Sequence, residues 1–193
     1  MKSFVISALT TTTLGQQLPD ILDFSDWFGG SKYTCPDYED IRQDSVKAEN
    51  FDINEFAGHW YLAATNEPTI PPICKCGVND VTVSKDKGEY EYTCSLVCTK
   101  APHFSLTMKG VTSDDPEWPG NIKENASLFD HRIAPLVPNY IFHIARDDSG
   151  LISHAYTYAC IGKIPPIFGP EAFSFNLITK SNNYTQEQLE KMV

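Results

Sequence analysis

The sequence predicts an all-β fold: an eight-stranded antiparallel up-and-down barrel with a short C-terminal helix. Three observations predict it. From Phe51 onward the chain breaks into short runs rich in Val, Ile, Tyr, Phe and Thr, separated by Gly, Asp and Pro clusters, which is the pattern of successive strands and turns. The runs number eight and most of the links are short, so consecutive strands pair as a meander, and eight strands suffice to close a barrel and remove both edges. The chain has 193 residues, 41% of them hydrophobic; that suits one domain burying roughly 70% of its unfolded surface.

Residues 1–15 have the build of a signal peptide: Lys2, an apolar stretch from Phe4 to Leu9, a Thr run, then Thr13 and Gly15 as small residues. The stretch is too short to span a bilayer. Residues 16–50 are polar and irregular apart from an apolar patch over 21–28, and read as an N-terminal arm. The barrel domain then covers 51–193, with strands expected over 59–66, 75–84, 89–99, 103–112, 123–130, 139–146, 151–160 and 172–180. Turns are expected at 85–88, 114–116, 134–135 and 147–150, where Gly, Asp and Pro supply the geometry. One helix start is clear: Thr185 as N-cap with Gln188 at N3 makes a capping box, and Tyr184 staples onto Leu189.

The formal charge of -10 and the absence of any Lys/Arg run argue against a nucleic-acid partner, which needs a clustered cationic face. No membrane span or lipid-anchor signal follows the N-terminal stretch. Six cysteines, an even number, fit disulfides in an oxidising compartment and a secreted, extracellular protein. The triplets at Asn125 and Asn183 are N-glycosylation sequons compatible with that reading.

Three segments carry a family resemblance. Residues 50–61 (NFDINEFAGHWY) form a helical turn leading into Gly58-x-Trp60; residues 175–184 (FNLITKSNNY) end a last strand; residues 154–160 (HAYTYAC) end a strand in cysteine. Together they resemble the lipocalins, and most closely in motif the apolipoprotein D and retinol-binding type. The resemblance implies that Gly58 permits close backbone approach and that Trp60 plugs the closed end of the barrel. It also implies a cation stacked on Trp60, usually Arg in the family, here Lys180, which lacks the flat surface of guanidinium. It further pairs Cys160 with Cys35, tying the arm to the wall.

The remaining cysteines, Cys74, Cys76, Cys94 and Cys98, face each other across a hairpin centred near Asp86. Two nested bridges, Cys76 with Cys94 and Cys74 with Cys98, are the simple arrangement; a four-thiolate zinc site and free thiols are the alternatives. With all six paired, no thiol remains for the isomerase chemistry of some lipocalins. His143 and His154 lie across the turn at 147–150, close enough to share a metal, but read better as half-buried or solvated histidines. No P-loop, Gly-x-Ser-x-Gly or His-Glu-x-x-His occurs. No catalytic residue, metal or cofactor is expected.

With Cys160 facing out toward the arm, alternation places Ala155 and Thr157 inward, and Tyr140, Phe142 and Ile144 are the cross-strand neighbours expected inward with them. The resemblance adds Ser174 and Asn176 from the last strand, and Leu62 and Ala64 from the first. The second strand contributes either its Val81/Val83 face or the opposite one. That lining implies a carrier of a small hydrophobic ligand (retinoid, carotenoid, sterol or fatty-acid-like) held by apolar burial, with Thr157, Asn176 or Tyr140 fixing a hydroxyl or carbonyl. The loop over 68–72, rich in proline, matches the segment that covers the barrel mouth in lipocalins. Two alternatives belong to other classes: an enzyme acting on such a ligand, like the xanthophyll de-epoxidases, and a secreted module whose mouth loops bind other proteins.

Overall fold

The computed structural model describes residues 35–66, 74–99, 104–128, 131–132, 136–162 and 172–192. The expected signal peptide, the start of the arm and the loop over 68–72 lie outside the described residues. The arm continues from Cys35 into a one-turn helix α1 (Tyr38–Ile41) and 3-10 turns at Asp44–Val46 and Ile53–Phe56. The strands are β1 (Gly58–Thr65), β2 (Cys74–Ser84), β3 (Glu89–Cys98), β4 (Phe104–Val111), β5 (Lys123–Leu128), β6 (His131–Arg132), β7 (Val137–Arg146), β8 (Ile152–Gly162) and β9 (Ala172–Thr179), followed by helix α2 (Gln186–Lys191).

Every pairing is antiparallel, each of β1 to β5 with its successor, β5 with β7, β7 with β8, β8 with β9, and β9 back to β1. The eight expected strands therefore form a closed barrel. The two-residue β6 was not expected and pairs only with β5. Turn chemistry matches the sequence: Gly88 ends the 3-10 turn at Lys85–Lys87 with φ 66°, a left-handed conformation that glycine adopts without a Cβ clash. In the turn after β7, the Asp147 carboxylate accepts the N–H groups of Ser149 and Leu151, an Asx-type closure.

Register assigns the two faces of the wall, because residues directly opposite in a ladder share a face. Trp60 and Leu62 alternate on β1; Leu62 lies opposite Ile178, Ile178 opposite Ala155, and Ala155 opposite Ile144. The other face carries Leu177, Tyr156 and Tyr158, and it is the face on which α2 and the arm rest. Leu189 of α2 is buried with Ala63, Ala64 and Leu177, so that face is the outside. The α2 cap is the expected one: Thr185 Oγ1 accepts the Gln188 N–H while the Gln188 side chain accepts the Thr185 N–H.

The arm lies along the outer face of β7. Cys35 is bonded to Cys160 across 125 residues of sequence. The Tyr38 hydroxyl donates to the Ile141 carbonyl at 3.0 Å, and the Gln43 N–H donates to the Phe142 carbonyl at 3.0 Å. Tyr38 also packs on Tyr140, ring centroids 5.0 Å apart, and the Arg42 guanidinium sits 3.8 Å over the Trp118 ring, a cation–π contact.

The closed end of the barrel is packed around Trp60. Trp60 is 0% exposed; its indole N–H donates to the Phe56 carbonyl at 2.7 Å and its ring lies 4.7 Å from that of Phe56. Lys180 places Nζ 3.9 Å over the indole and donates to the Ala57 carbonyl at 3.1 Å. Lysine thus occupies the cation position with one hydrogen bond in place of a stacked plane, and partial burial lowers the pKa of its ammonium. Gly58, at φ 105°, brings the backbone close beneath that ammonium.

Candidate functional site: the barrel interior

Following register around the barrel, the inner face carries Trp60, Leu62 and Thr65 on β1 and Gly77, Asn79, Val81 and Val83 on β2. The question of which β2 face lines the interior is thereby answered for Val81 and Val83. β3 contributes Tyr90, Tyr92, Cys94 and Leu96, β4 Leu106, Met108 and Gly110, and β5 Glu124. The far wall is Val137, Asn139, Ile141 and Ile144 from β7, Ala155, Thr157 and Ala159 from β8, and Ser174, Asn176 and Ile178 from β9.

Of the residues expected inside, Leu62, Ile144, Ala155, Thr157, Ser174 and Asn176 are on the inner face. Tyr140, Phe142 and Ala64 are corrections. Phe142 is an extra residue between the pairs Ile141 with Thr157 and His143 with Tyr156; such a bulge reverses the alternation on one side of it. Tyr140 therefore lies opposite Tyr158 on the outer face, and Phe142 packs against the outward Tyr156 and Phe175. Ala63 is a second bulge, which turns Ala64 outward opposite Leu177.

Burial divides the inner wall. Trp60, Leu62, Val81, Tyr90, Ile141, Ile144, Ala155 and Ile178 toward the closed end are at most 7% exposed. Asn79, Tyr92, Cys94, Leu106, Met108, Val137, Ala159 and Asn176 point into the same closed wall yet remain partly accessible. Leu96, Asn139, Thr157 and Ser174 on the same face are buried, so the partly exposed inward positions stand among packed ones.

Two polar groups of contacts stand on that wall. On one side the Glu124 carboxylate, 3% exposed, accepts from Asn139 Nδ2 at 2.7 Å and from the Tyr92 hydroxyl at 3.2 Å. Burial and the Glu124 charge raise the Tyr90 and Tyr92 phenols well above their ordinary pKa, so both stay protonated donors. On the other side Thr65 Oγ1 donates to Asn176 Oδ1 at 2.6 Å, while Asn176 Nδ2 donates to Thr157 Oγ1 at 3.3 Å and to Ser174 Oγ at 3.4 Å. Asn79 Oδ1 is buried with no hydrogen-bond partner. Sequence reasoning missed Glu124, Tyr92, Asn139 and Asn79. Alternation back from Ile144 turns Asn139 outward unless the bulge at Phe142 is known, and strands two to five offered no anchor for their facing.

The other expected positions are also located. Cys74 is bonded to Cys98. A bulge at Cys76 shifts the β2–β3 register, so Cys94 lies opposite Asn79 instead of matching the simple count from the turn; the Cys76 side chain lies outside the described residues. Asn183 is exposed. Asn125 is 2% exposed, which, contrary to the expectation from its sequon, leaves no room for a glycan on that amide.

His143 and His154 are half-buried on the outer face, both packed on Tyr156 with centroids 5.4 and 5.8 Å away. The Nδ1 atoms of His143 and His154 contact the hydroxyls of Ser45 and Ser153 respectively, each at 3.0 Å. No group of three or more potential metal ligands occurs among the described residues. Burial lowers both pKa values, and the His143 charge lowers that of His154 further. In the pH range below the ordinary histidine value near 6.5, the unfolded chain then binds more protons than the folded one. Stability is therefore intact above that value and falls as pH drops through it. The urea midpoint is expected to decline between pH 7.5 and 5, and H143Q/H154Q to flatten that decline; an equally steep decline in the double variant would refute the assignment.

No protein-family model matches the sequence, and no curated protein matches it. Among solved structures, apocrustacyanin C1 is similar at 19% identity and TM-score 0.51, covering 78% of this chain and 75% of that one. Apocrustacyanin C2 is similar at 18% and 0.49, over 77% and 73%, and insecticyanin from the tobacco hornworm Manduca sexta at 16% and 0.49, over 78% and 75%. At such identities the likeness is one of fold: like apocrustacyanin C1, the chain carries a closed eight-stranded antiparallel barrel, here with a short C-terminal helix.

Proposed function

We propose that the protein is a secreted lipocalin that binds and carries one small hydrophobic molecule, of the retinoid, carotenoid, sterol or fatty-acid-like classes, inside the barrel. The observation that carries this reading is the mostly apolar inner wall of the closed barrel, packed around Trp60 and bearing, beyond it, partly exposed inward side chains such as Leu106, Met108, Val137 and Asn176. Aliphatic and aromatic walls supply affinity through apolar burial, at about 25 cal/mol per Å² before the costs of binding. Thr157, Ser174 and Asn176 are proposed contacts on the wall, with Asn176 fixing a polar atom of the ligand, and Leu62, Ile144 and Ala155 are proposed as the apolar floor beneath it. Secretion is supported by the bridges Cys35–Cys160 and Cys74–Cys98, since such bonds persist in oxidising compartments. Asn183 is the proposed glycan site.

Native mass spectrometry of the protein from its natural source, followed by solvent extraction, tests the reading. A lipid or pigment released unchanged is the expected result; repeated recovery of empty protein that takes up no apolar probe would sink it. With the bound molecule identified, Asn176→Ala is expected to weaken its binding by about tenfold, the worth of a buried hydrogen bond. An unchanged Kd would remove Asn176 from the site.

A further inference from the structure

On the outer wall, one contact between the arm and β7 depends on the protonation of a single ring. We propose that Ser45 and His143 form a pH-sensitive latch: the arm's 3-10 turn at Asp44–Val46 is held on β7 while His143 is neutral, and is released when His143 takes up a proton. The latch is independent of what the barrel carries.

Ser45 Oγ accepts the Ile144 N–H at 3.2 Å and lies 3.0 Å from His143 Nδ1. A hydroxyl has one proton to give, and among the described residues Nδ1 is the acceptor within its reach. The Ser45 O–H therefore donates to Nδ1, which leaves the ring's own proton on Nε2. Ser153 holds His154 the other way round. Its hydroxyl donates to the Ala145 carbonyl at 3.2 Å, so in the 3.0 Å contact with His154 Nδ1 the ring is the donor. Protonation acts unequally on the two rings. The His154 contact survives it, because Nδ1 already carries a proton there. On His143 it puts a second proton on the line between Oγ and Nδ1, and the Ser45 hydroxyl has to turn away. Ser45 is then faced by two N–H donors, and lifting the turn gives both its proton and the imidazolium to water.

The surroundings favour release over accommodation. His143 is half-buried between the turn and Tyr156. The titratable and charged groups around it are Asp44, which is exposed, and Lys47, paired with Glu49 and Glu117, on the arm; Tyr156 and His154 on β8; and Arg146 on β7, engaged by Glu55. Across Tyr156 lies α2, whose Glu187, Glu190 and Lys191 are exposed. Burial alone lowers the His143 pKa, and none of these charges contributes. A cover that lifts removes that burial. The turn is the movable cover, since β7 and β8 are each paired on both sides in the barrel. The turn rests on buried Val46, the Ser45 contacts and the adjoining bond from the Gln43 N–H to the Phe142 carbonyl. With the turn lifted, His143 regains its ordinary value near 6.5. Opening then becomes easier as pH falls through that value, and levels off below the lowered value of the closed state.

Native-state hydrogen exchange of the full chain, disulfides intact, tests the latch at pH 7.5 and 5.5 after correction for intrinsic exchange rates. The Gln43, Val46 and Lys47 amides, hydrogen-bonded in and beside the turn, report its opening, and the ladder amides of β8 and β9 report the barrel. The turn's amides are expected to be less protected than the ladder's at both pH values, through local opening. Their protection is expected to fall at least about threefold between pH 7.5 and 5.5, as one linked protonation allows. His143→Gln, which keeps an acceptor for Ser45, is expected to abolish that fall, and His154→Gln to preserve it while moving it to higher pH by removing a like charge. Ser45→Ala keeps both rings and is expected to lower the turn's protection about fivefold already at pH 7.5, the worth of a lost hydrogen bond. Turn amides as protected as the ladder, or equally protected at the two pH values, overturn the latch. So does a fall that persists in His143→Gln or vanishes in His154→Gln, or a Ser45→Ala protein with native protection of the turn.

Discussion

Trp60→Ala is expected to lower the free energy of unfolding by about 3–5 kcal/mol, the range for truncating a large buried aromatic. Trp60 is 0% exposed and is the largest of the fully buried side chains among the described residues. It touches the Phe56 ring, satisfies the Phe56 carbonyl through its indole N–H, and supports Lys180 above its face. Removing it leaves a cavity at the closed end, an unsatisfied buried carbonyl and a half-buried ammonium without its aromatic platform. Urea unfolding measures the loss. Lys180→Met separates the last contribution, expected at about 1 kcal/mol for the cation–π contact and its hydrogen bond. A Trp60→Ala loss below about 1 kcal/mol would mean that the closed end is not packed as described.

Removal of the Cys35–Cys160 bridge by C35S/C160S is expected to cost about 4–5 kcal/mol, because a cross-link spanning so long a loop strongly restricts the unfolded chain in the chain-entropy account. The separation is 125 residues. The second consequence distinguishes a stabilising tie from part of the site. Cys160 lies on the outer face, two positions from Tyr158 and opposite Phe173, so its loss should release the arm without altering the inner wall. Unfolding midpoints should fall, while uptake of an apolar fluorophore by the folded fraction stays within about twofold of the native value, less than the worth of one hydrogen bond. A large loss of uptake at unchanged stability would place the arm in the binding site.

These two effects differ in how visible their causes were. The Gly58-x-Trp60 segment and the position of Lys180 were legible because short-range features, a 3-10 turn capped by Asp52 and a glycine at positive φ, announce them in consecutive residues. The eight strands were legible for the same reason: period-two patterning and turn residues are local. The lining was only partly legible. Thr157, Ala155 and Ile144 followed from alternation, but Tyr140, Phe142 and Ala64 did not, since each lies at or beyond a bulge that no local pattern marks. Glu124 remained unseen because its strand is short and neither end is tied to a motif; its facing emerges only through Gly110, Tyr90 and Val83 on three neighbouring strands.

By itself, then, the sequence determined the element order, the barrel class, the plug at the closed end and the C-terminal cap, all set by residues within a few positions of one another. The tertiary structure decided which side chains see the interior. That choice depends on the register between strands and on single inserted residues such as Ala63 and Phe142, and a one-residue shift exchanges every inward side chain for an outward one. It turned a row of tyrosine and phenylalanine toward the arm, and brought Glu124, Asn139 and Tyr92, distant in sequence, together on the inner wall.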